Sequence, residues 1–457
     1  MDQTLFQRVT VATSGDGELI GIRGLFCLNG FLIANWATRI PAVRSQFGLS
    51  EGGLGIALML IAVGAVVSMP LAGWLCERRS SRSIALFSTI GYLVGLPLIA
   101  WMPNLATLAM ALLAFGTAHG MLDVAMNVQA VAVEKRLARP INSSIHAWWS
   151  IGGLCGAVAG SLITLAGTEM RWHFAIVSTC LAVAAWPVFR RLKDSVPVDS
   201  SNAMHASDRD NPAPFAPSKP SRMDRFAARR MILVLGAIAF CVMAGEGAMA
   251  DWSAVLLRQN LGVGEGVAAL GFAAFAIAMA AGRLVGDGLS TRMGARNQVR
   301  LCAVVALAGV LVVITSAHAA IAMIGFALIG AGFATVVPVV FTACGTIKAI
   351  SPSAALSSVS TIGYFGFLTG PPIIGFLAEW VGLRVALSSL VLTTTTILLL
   401  ASKLRNRDDS ESPLPIEPRA NESNDLVGIQ HQLACKSTDN FALADAAELL
   451  RHRTEQA

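Results

Sequence analysis

The chain repeats itself. "INSSIHAWWSIGGLCG" from Ile141 matches "ALSSVSTIGYFGFLTG" from Ala355, at an offset of 214 residues. At the same offset "FGLSE" at Phe47 meets "LGVGE" at Leu261, Leu75 and Arg78 meet Leu289 and Arg292, and Gly116 meets Gly330. With a two-residue adjustment "NW" at Asn35 meets "DW" at Asp251. Each half holds six apolar segments long enough to cross a bilayer, which takes about 20 helical residues. They are 20–40, 54–75, 83–102, 106–131, 145–167 and 172–190, then 231–257, 267–289, 299–317, 320–345, 355–378 and 383–402. An even number of spans per repeat gives both halves the same orientation. The halves then relate by an axis along the membrane normal, and their interface falls near mid-membrane. The expected fold is an all-α membrane protein with twelve transmembrane helices in two pseudo-symmetric six-helix bundles.

Composition excludes one large soluble core. Charged residues make up 14% of the chain and hydrophobic residues 54%, whereas soluble globular proteins carry about 25% charged residues. The net charge of +6 does not point to nucleic acid. The basic residues lie in short clusters between apolar runs, not on one face of a soluble domain. With the N-terminus inside, 28 of the 34 Lys and Arg residues fall on the inner side. The positive-inside rule then predicts both termini in the cytoplasm and a multi-pass protein of the cytoplasmic (inner) membrane. The expected division is a cytoplasmic segment 1–19, a first bundle 20–190, a disordered linker 191–230 rich in Pro, Ser, Asp and Arg, a second bundle 231–402, and a mostly disordered cytoplasmic tail 403–457. The tail holds one short amphipathic stretch at 440–457. The first 19 residues lack a basic start followed by an apolar core, so insertion is expected to rest on the first span.

Several chemistries lack support. There is no G-x-x-x-x-G-K-[ST] to bind ATP and no H-E-x-x-H for a zinc protease. The eight cysteines are scattered, with no C-x-x-C. No enzyme activity, cofactor or metal is expected.

The fourth span carries an ionisable stripe. In "AFGTAHGMLDVAMNVQAVAVEKR", His119, Asp123 and Asn127 fall at i, i+4 and i+8, on one helical face. A charge at the bilayer centre costs at least about 2.5–3.5 kcal/mol. Asp123 stands about eight residues, roughly 12 Å, from the inner end of its span. It must face a cavity, a partner or a proton, which makes it the first candidate for proton coupling. Glu246, mid-depth in the seventh span, is the second. His119, Asn127, His146, Trp149 and Asn35 are candidate solute contacts. A tryptophan face suits the apolar side of a sugar or cyclitol ring and also a cationic amine. Asn35 and Asp251 occupy equivalent places near the outer ends of the first and seventh spans. Arg39 lies one turn beyond Asn35, so an Arg39–Asp251 pair closing the outside is expected, against the alternative of two separate interfacial residues. Pro338, Pro371 and Pro372 are expected to kink the tenth and eleventh spans.

"GWLCERRSSR" from Gly73 resembles the loop motif G-x-L-a-D-R-x-G-R-R of the major facilitator superfamily. Gly73, Leu75, Glu77, Arg78 and Arg82 match, while Ser80 and Ser81 stand where Gly and Arg are usual. The second half echoes it in "GRLVGDGLSTRMG" from Gly282, with Gly286, Asp287, Arg292 and Gly294. Arg283 and Asp287, at i and i+4, are expected to pair. The resemblance implies a gate at this end of the bundles. "GMLDVAMN" resembles the fucose-permease-type pattern G-x-x-[DE]-x-x-x-N, in which the acid is associated with proton coupling. Gly120, Asp123 and Asn127 match. The carboxylate that this pattern pairs with on the first helix has no counterpart, the nearest residues being Asn35 and Ala37. "NWATRIPAVRSQFGLSEGGLG", "SSIHAWWSIGGLCGA" and "EGAMADWSAVLL" resemble the MosC/YbjJ-like branch of the superfamily, over roughly residues 25–403. That resemblance implies a secondary transporter that works by alternating access on a small solute with H+, as a monomer in the lipid bilayer. One member of the branch is linked with rhizopine, an amino-cyclitol derivative, which implies a small polar ring as substrate. An exporter of a cationic drug or metabolite, and a membrane sensor with the tail as output, are the alternatives.

Overall fold

The computed structural model describes residues 3–194, 221–347 and 349–404. It is all helical. The first bundle comprises α1 (Gln3–Thr38), the short α2 (Ile40–Phe47), α3 (Glu51–Arg78), α4 (Ser81–Trp101), α5 (Leu105–Leu137), α6 (Asn142–Leu165) and α7 (Met170–Arg191). The second comprises α8 (Arg222–Leu261), α9 (Glu265–Thr315), α10 (Ala319–Phe333), α11 (Val336–Cys344), α12 (Pro352–Val381), α13 (Leu383–Leu387) and α14 (Ser389–Leu400). The expected disordered stretch at 195–220 and the tail from 405 lie outside the described residues.

Helix ends follow local chemistry. Asn104 caps α5 by accepting from Thr107 N at 3.0 Å. Ser50 caps α3 in the same way through Gly53 N. Ser50 sits in the string Gly48-Leu49-Ser50-Glu51-Gly52, but it begins a helix with no strand before it, so it is no nucleophile elbow. Ser221 and Asp224 form a reciprocal capping box. That box starts α8 at Arg222, nine residues ahead of the expected span and inside the expected linker. The eighth and ninth spans run together as α9, which turns at Gly294 (φ 73°), a backbone conformation that glycine adopts without strain. The tenth span breaks between Phe333 and Val336, just ahead of Pro338, whose missing N–H and ring forbid a continuous helix there. Pro371 and Pro372, by contrast, lie inside a continuous α12.

In the first bundle α1 packs on α6 and α7, and α5 packs on α3 and α4. In the second, α8 packs on α12 and α9 on α10. Each bundle encloses its own hydrophobic core. A belt of large apolar side chains remains outside, including Val67, Val183 and Leu392, each more than 70% exposed. Only a hydrocarbon surround accounts for such a belt.

The repeat is visible in the packing. A Cβ on Gly116 would collide with the Ile61 carbonyl, and a Cβ on Gly330 with the Phe275 carbonyl. Both pairs are related by the offset read from the sequence. Backbone-to-backbone approach through glycine is how membrane helices gain contact where no hydrophobic force separates them from lipid.

Candidate functional site

Helices of both bundles bring polar side chains to mid-depth. Asp123 on α5 is 8% exposed. The hydroxyl of Tyr364 on α12, in the opposite bundle, stands beside it. The Asp123 oxygen Oδ2 has no partner among the described residues. His119, one turn along α5, lies between the two tyrosines, with ring centroids 5.2 Å from Tyr92 and 6.4 Å from Tyr364. Tyr92, on α4, is completely buried.

The second half of the cluster is built around Arg283 on α9, which is 6% exposed. Its Nη1 donates to Ser150 Oγ at 2.8 Å and its Nε to the Ala334 carbonyl at 3.4 Å. Its guanidinium carbon is 5.9 Å from the ring centroid of Trp149. Glu246 on α8 is the carboxylate that attracts it. Trp149 in turn donates from Nε1 to Asn29 Oδ1 at 3.0 Å. His146 packs between Phe26 at 5.1 Å and Phe341 at 6.0 Å, and its Nε2 has no partner among the described residues. A buried cation, two acids, two histidines, two tyrosines and a tryptophan can bind a polar ring through hydrogen bonds and stacking.

Other expected contacts are placed elsewhere. Asn127 turns back on its own helix and donates to the Asp123 carbonyl at 2.8 Å. Asn35 lies in a separate network at the other end of the first bundle. Its Nδ2 donates to the Phe31 carbonyl at 2.8 Å, and its Oδ1 sits 2.9 Å from His173 Nε2. His173 Nδ1 accepts from Arg39 Nε at 2.7 Å, which places the ring hydrogen on Nε2. Arg39 also donates to the Thr168 carbonyl at 2.6 Å. Arg39 is thus committed within its own bundle and does not pair with Asp251, which is exposed. The i, i+4 spacing placed Arg283 and Asp287 on one face, yet they take different partners because each meets a different helix.

The helix ends that carry the loop motif meet the opposite bundle at two places. We call this the basic end. Gly73 lies against Ser357, and Gly286 against Ser143, so closely that a Cβ on either glycine would collide with the serine. Ser351, the cap of α12, donates to Glu77. Asp287 accepts from Ser143 N at 2.9 Å and Ser144 N at 3.1 Å, at the start of α6. Glu134, from α5, holds the preceding two N–H groups, Ile141 and Asn142, both at 3.0 Å. A helix N-terminus favours negative charge, and here carboxylates of both bundles share one. Asn142 Nδ2 reaches Pro338 O and Thr342 Oγ1, each at 3.2 Å. Of the remaining motif residues, Arg78 stacks on Trp74 at 4.2 Å. Arg82 donates to the Phe189 carbonyl and lies 3.7 Å from Asp194, within the first bundle. The bonds named between the bundles all lie from mid-depth to the basic end.

Sequence reasoning missed Tyr92, Tyr364, Asn29, Ser150 and His173. One signal was present: the chain contains only two tyrosines, and both stand beside the ionisable stripe.

A model of the Major Facilitator Superfamily matches residues 24–349. The chain is 33% identical over 383 residues to an uncharacterized MFS-type transporter of Yersinia pestis, covering 84% of this chain and 94% of that one. It is 32% identical over 394 residues to the membrane protein MosC of Rhizobium meliloti, covering 85% and 90% respectively. Among solved structures it superposes on FucP in the outward conformation with a TM-score of 0.67 and 17% identity, covering 84% of this chain and 98% of that one. At that identity the likeness is one of fold.

Proposed function

This chain belongs to the Major Facilitator Superfamily, and from that premise we propose that it carries a small polar ring solute across the cytoplasmic membrane by alternating access, coupled to protons. The solute class is a sugar, cyclitol or amino-cyclitol. One observation carries the reading: Asp123 of one bundle meets Tyr364 of the other at mid-depth, inside a cluster closed off by the contacts at the basic end. The excess of Lys and Arg puts that end, both termini and the linker in the cytoplasm. The described conformation is then outward-facing, with the gate residues Gly73, Glu77, Gly286 and Asp287 engaged.

Asp123 takes one proton per cycle in this reading, and Glu246, balanced by Arg283, sets the charge beside it. Trp149 and His146 offer a ring face, while His119 and Tyr364 offer hydrogen bonds. Asn127 supports Asp123 from its own helix. Asn35 and Arg39 act at the outer end, Arg39 exchanging His173 for Asp251 when that end closes. FucP is a fucose:proton symporter, which supports the coupling of a ring solute to protons on this fold. Two acids against one arginine at the cluster also favour a second reading, export of a cationic solute in exchange for protons. The chain works as a monomer in either case, because its own two bundles supply both walls of the site.

The test begins with a thermal-shift screen of purified protein against sugars, cyclitols, amines and acids at two pH values, since a ligand raises apparent stability by mass action. The best binder is then used in proteoliposomes. Asp123→Asn abolishes proton-driven accumulation and spares counterflow. Normal accumulation by Asp123→Asn overturns the coupling role. An amine that binds better than any neutral ring moves the assignment to the second reading.

A further inference from the structure

A small cavity lies inside the first bundle, next to Tyr92 but away from the interface between the bundles. Leu25, Leu122 and Leu181 form part of its wall, which is almost wholly apolar, and Asn29, Thr89 and Tyr92 also line it. It has room for about one water molecule. All three polar residues are at least nine-tenths buried, at 1%, 5% and 0% exposed. Asn29 Nδ2, Thr89 Oγ1 and Tyr92 Oη each lack a hydrogen-bond partner among the described residues. Leaving one such group unsatisfied costs about 1–3 kcal/mol, so three in one cavity are not left dry. A buried water makes about three hydrogen bonds to groups of this kind.

We propose that this cavity holds one ordered water bound by Asn29, Thr89 and Tyr92, and that the water links the Asp123 site to Trp149. The linkage rests on the reading of Asp123 as the proton site. The donors set its direction. Trp149 Nε1–H donates to Asn29 Oδ1. Asn29 Nδ2–H then donates to the water, and the water donates to Thr89 Oγ1 and Tyr92 Oη. The Tyr92 hydroxyl hydrogen is left to turn toward Asp123, whose charge acts on it and whose Oδ2 is also unpartnered. The series from Trp149 through Asn29 and the water to Tyr92 therefore donates toward the carboxylate, and hydrogen bonds aligned in series polarise one another. Protonating Asp123 removes the charge that aligns them and loosens the hold on Trp149, which faces Arg283. The other groups acting at Asp123 are His119 from its own helix and Tyr364 from α12. Glu246 acts on Tyr364, and Arg283 acts on Glu246.

Two measurements on the full chain in lipid nanodiscs test this without a solute. The first is an experimental structure fine enough to resolve ordered waters. Density within hydrogen-bonding distance of Asn29 Nδ2, Thr89 Oγ1 and Tyr92 Oη is expected, and an empty cavity overturns the site. The second is infrared pH-difference spectroscopy in ordinary and oxygen-18 water. One isotope-sensitive O–H stretch is expected in the parent chain, lost in Thr89→Val and Asn29→Leu, and restored by Thr89→Ser. In Asp123→Asn the density stays but the band leaves the difference spectrum, because the charge no longer changes. A band that survives Thr89→Val and Asn29→Leu, or that persists in Asp123→Asn, overturns the link. Failure of the functional reading shows separately, as normal accumulation by Asp123→Asn. That result removes the linkage and leaves the water site to its density.

Discussion

Ser357 packs its hydroxyl against the bare Cα of Gly73, across the boundary between the bundles. The equivalent serine of the first bundle, Ser143, does the same to Gly286. The closed basic end is thus a shape fit at two places as well as a set of hydrogen bonds. Overpacking a tight contact costs about 1–3 kcal/mol. Gly73→Val is expected to shift the population toward the conformation open at the basic end by about 5- to 150-fold. Distances between spin labels on the basic-end loops of the two bundles read that shift. An unchanged distance distribution would mean the glycine is not part of the gate.

Asp287→Asn removes the negative charge from the start of α6 while keeping a side chain of the same size. Hydrogen bonds to a charged group contribute about 1.5–3 kcal/mol, so the closed basic end weakens by up to that amount. Glu77→Gln weakens the start of α12 in the same direction. The two sites are separate, and the double variant is expected to open the basic end by the sum of the two effects. Alkylation rates of a single cysteine introduced at the basic-end interface report it.

Tyr364→Phe deletes one oxygen and little volume. The lost group is the donor that meets Asp123 from the other bundle. Proton-driven accumulation is expected to fall severalfold while counterflow persists, as in a milder Asp123→Asn. Measuring both activities in one proteoliposome preparation separates this from a folding defect, which lowers the two together.

Arg39→Met strands His173 Nδ1 and the Thr168 carbonyl inside the first bundle. Thermal stability is expected to drop by the equivalent of about 1.5–3 kcal/mol. Asp251→Asn, at an exposed position with no partner among the described residues, is expected to leave the melting temperature where it is and to slow closure of the outer end. Equal losses of stability in both variants would show that the two residues already pair in the described conformation.

Gly116→Ala tests the packing of the repeat. The added methyl meets the Ile61 carbonyl, which belongs to a neighbouring helix backbone and cannot rotate away. A loss of folded protein is expected, whereas Gly288→Ala, where nothing lies within 4 Å of the added atom, is expected to behave as the parent. Detergent-solubilised yield and melting temperature together give the comparison.

Much of this architecture was legible in the chain. Six apolar runs, repeated at a fixed offset, specify both bundles, and Gly116 and Gly330 read as equivalent positions once the offset is known. The site was legible only in part. Periodicity places His119, Asp123 and Asn127 on one face, but it does not say which helix that face meets. Tyr364 stands 241 residues after Asp123, and only tertiary packing brings them together. Asn35 looked like a match for Asp251 because the repeat aligns them. The structure gives it to His173, which no local pattern announces. Arg283 and Asp287 share a face, yet one turn of helix separates the central cluster from the start of α6, and each residue answers to its own surroundings.

The start of α6 is held by Glu134 from its own bundle and by Asp287 from the other. In the proposed alternating access the bundles part here, and only the second grip lets go. Glu134 keeps the first two amides covered, and water arriving through the opening covers the other two. The transition therefore uncouples two rigid bodies without unravelling either. The seam can be broken and remade on every cycle because the helix that lies along it never has to refold.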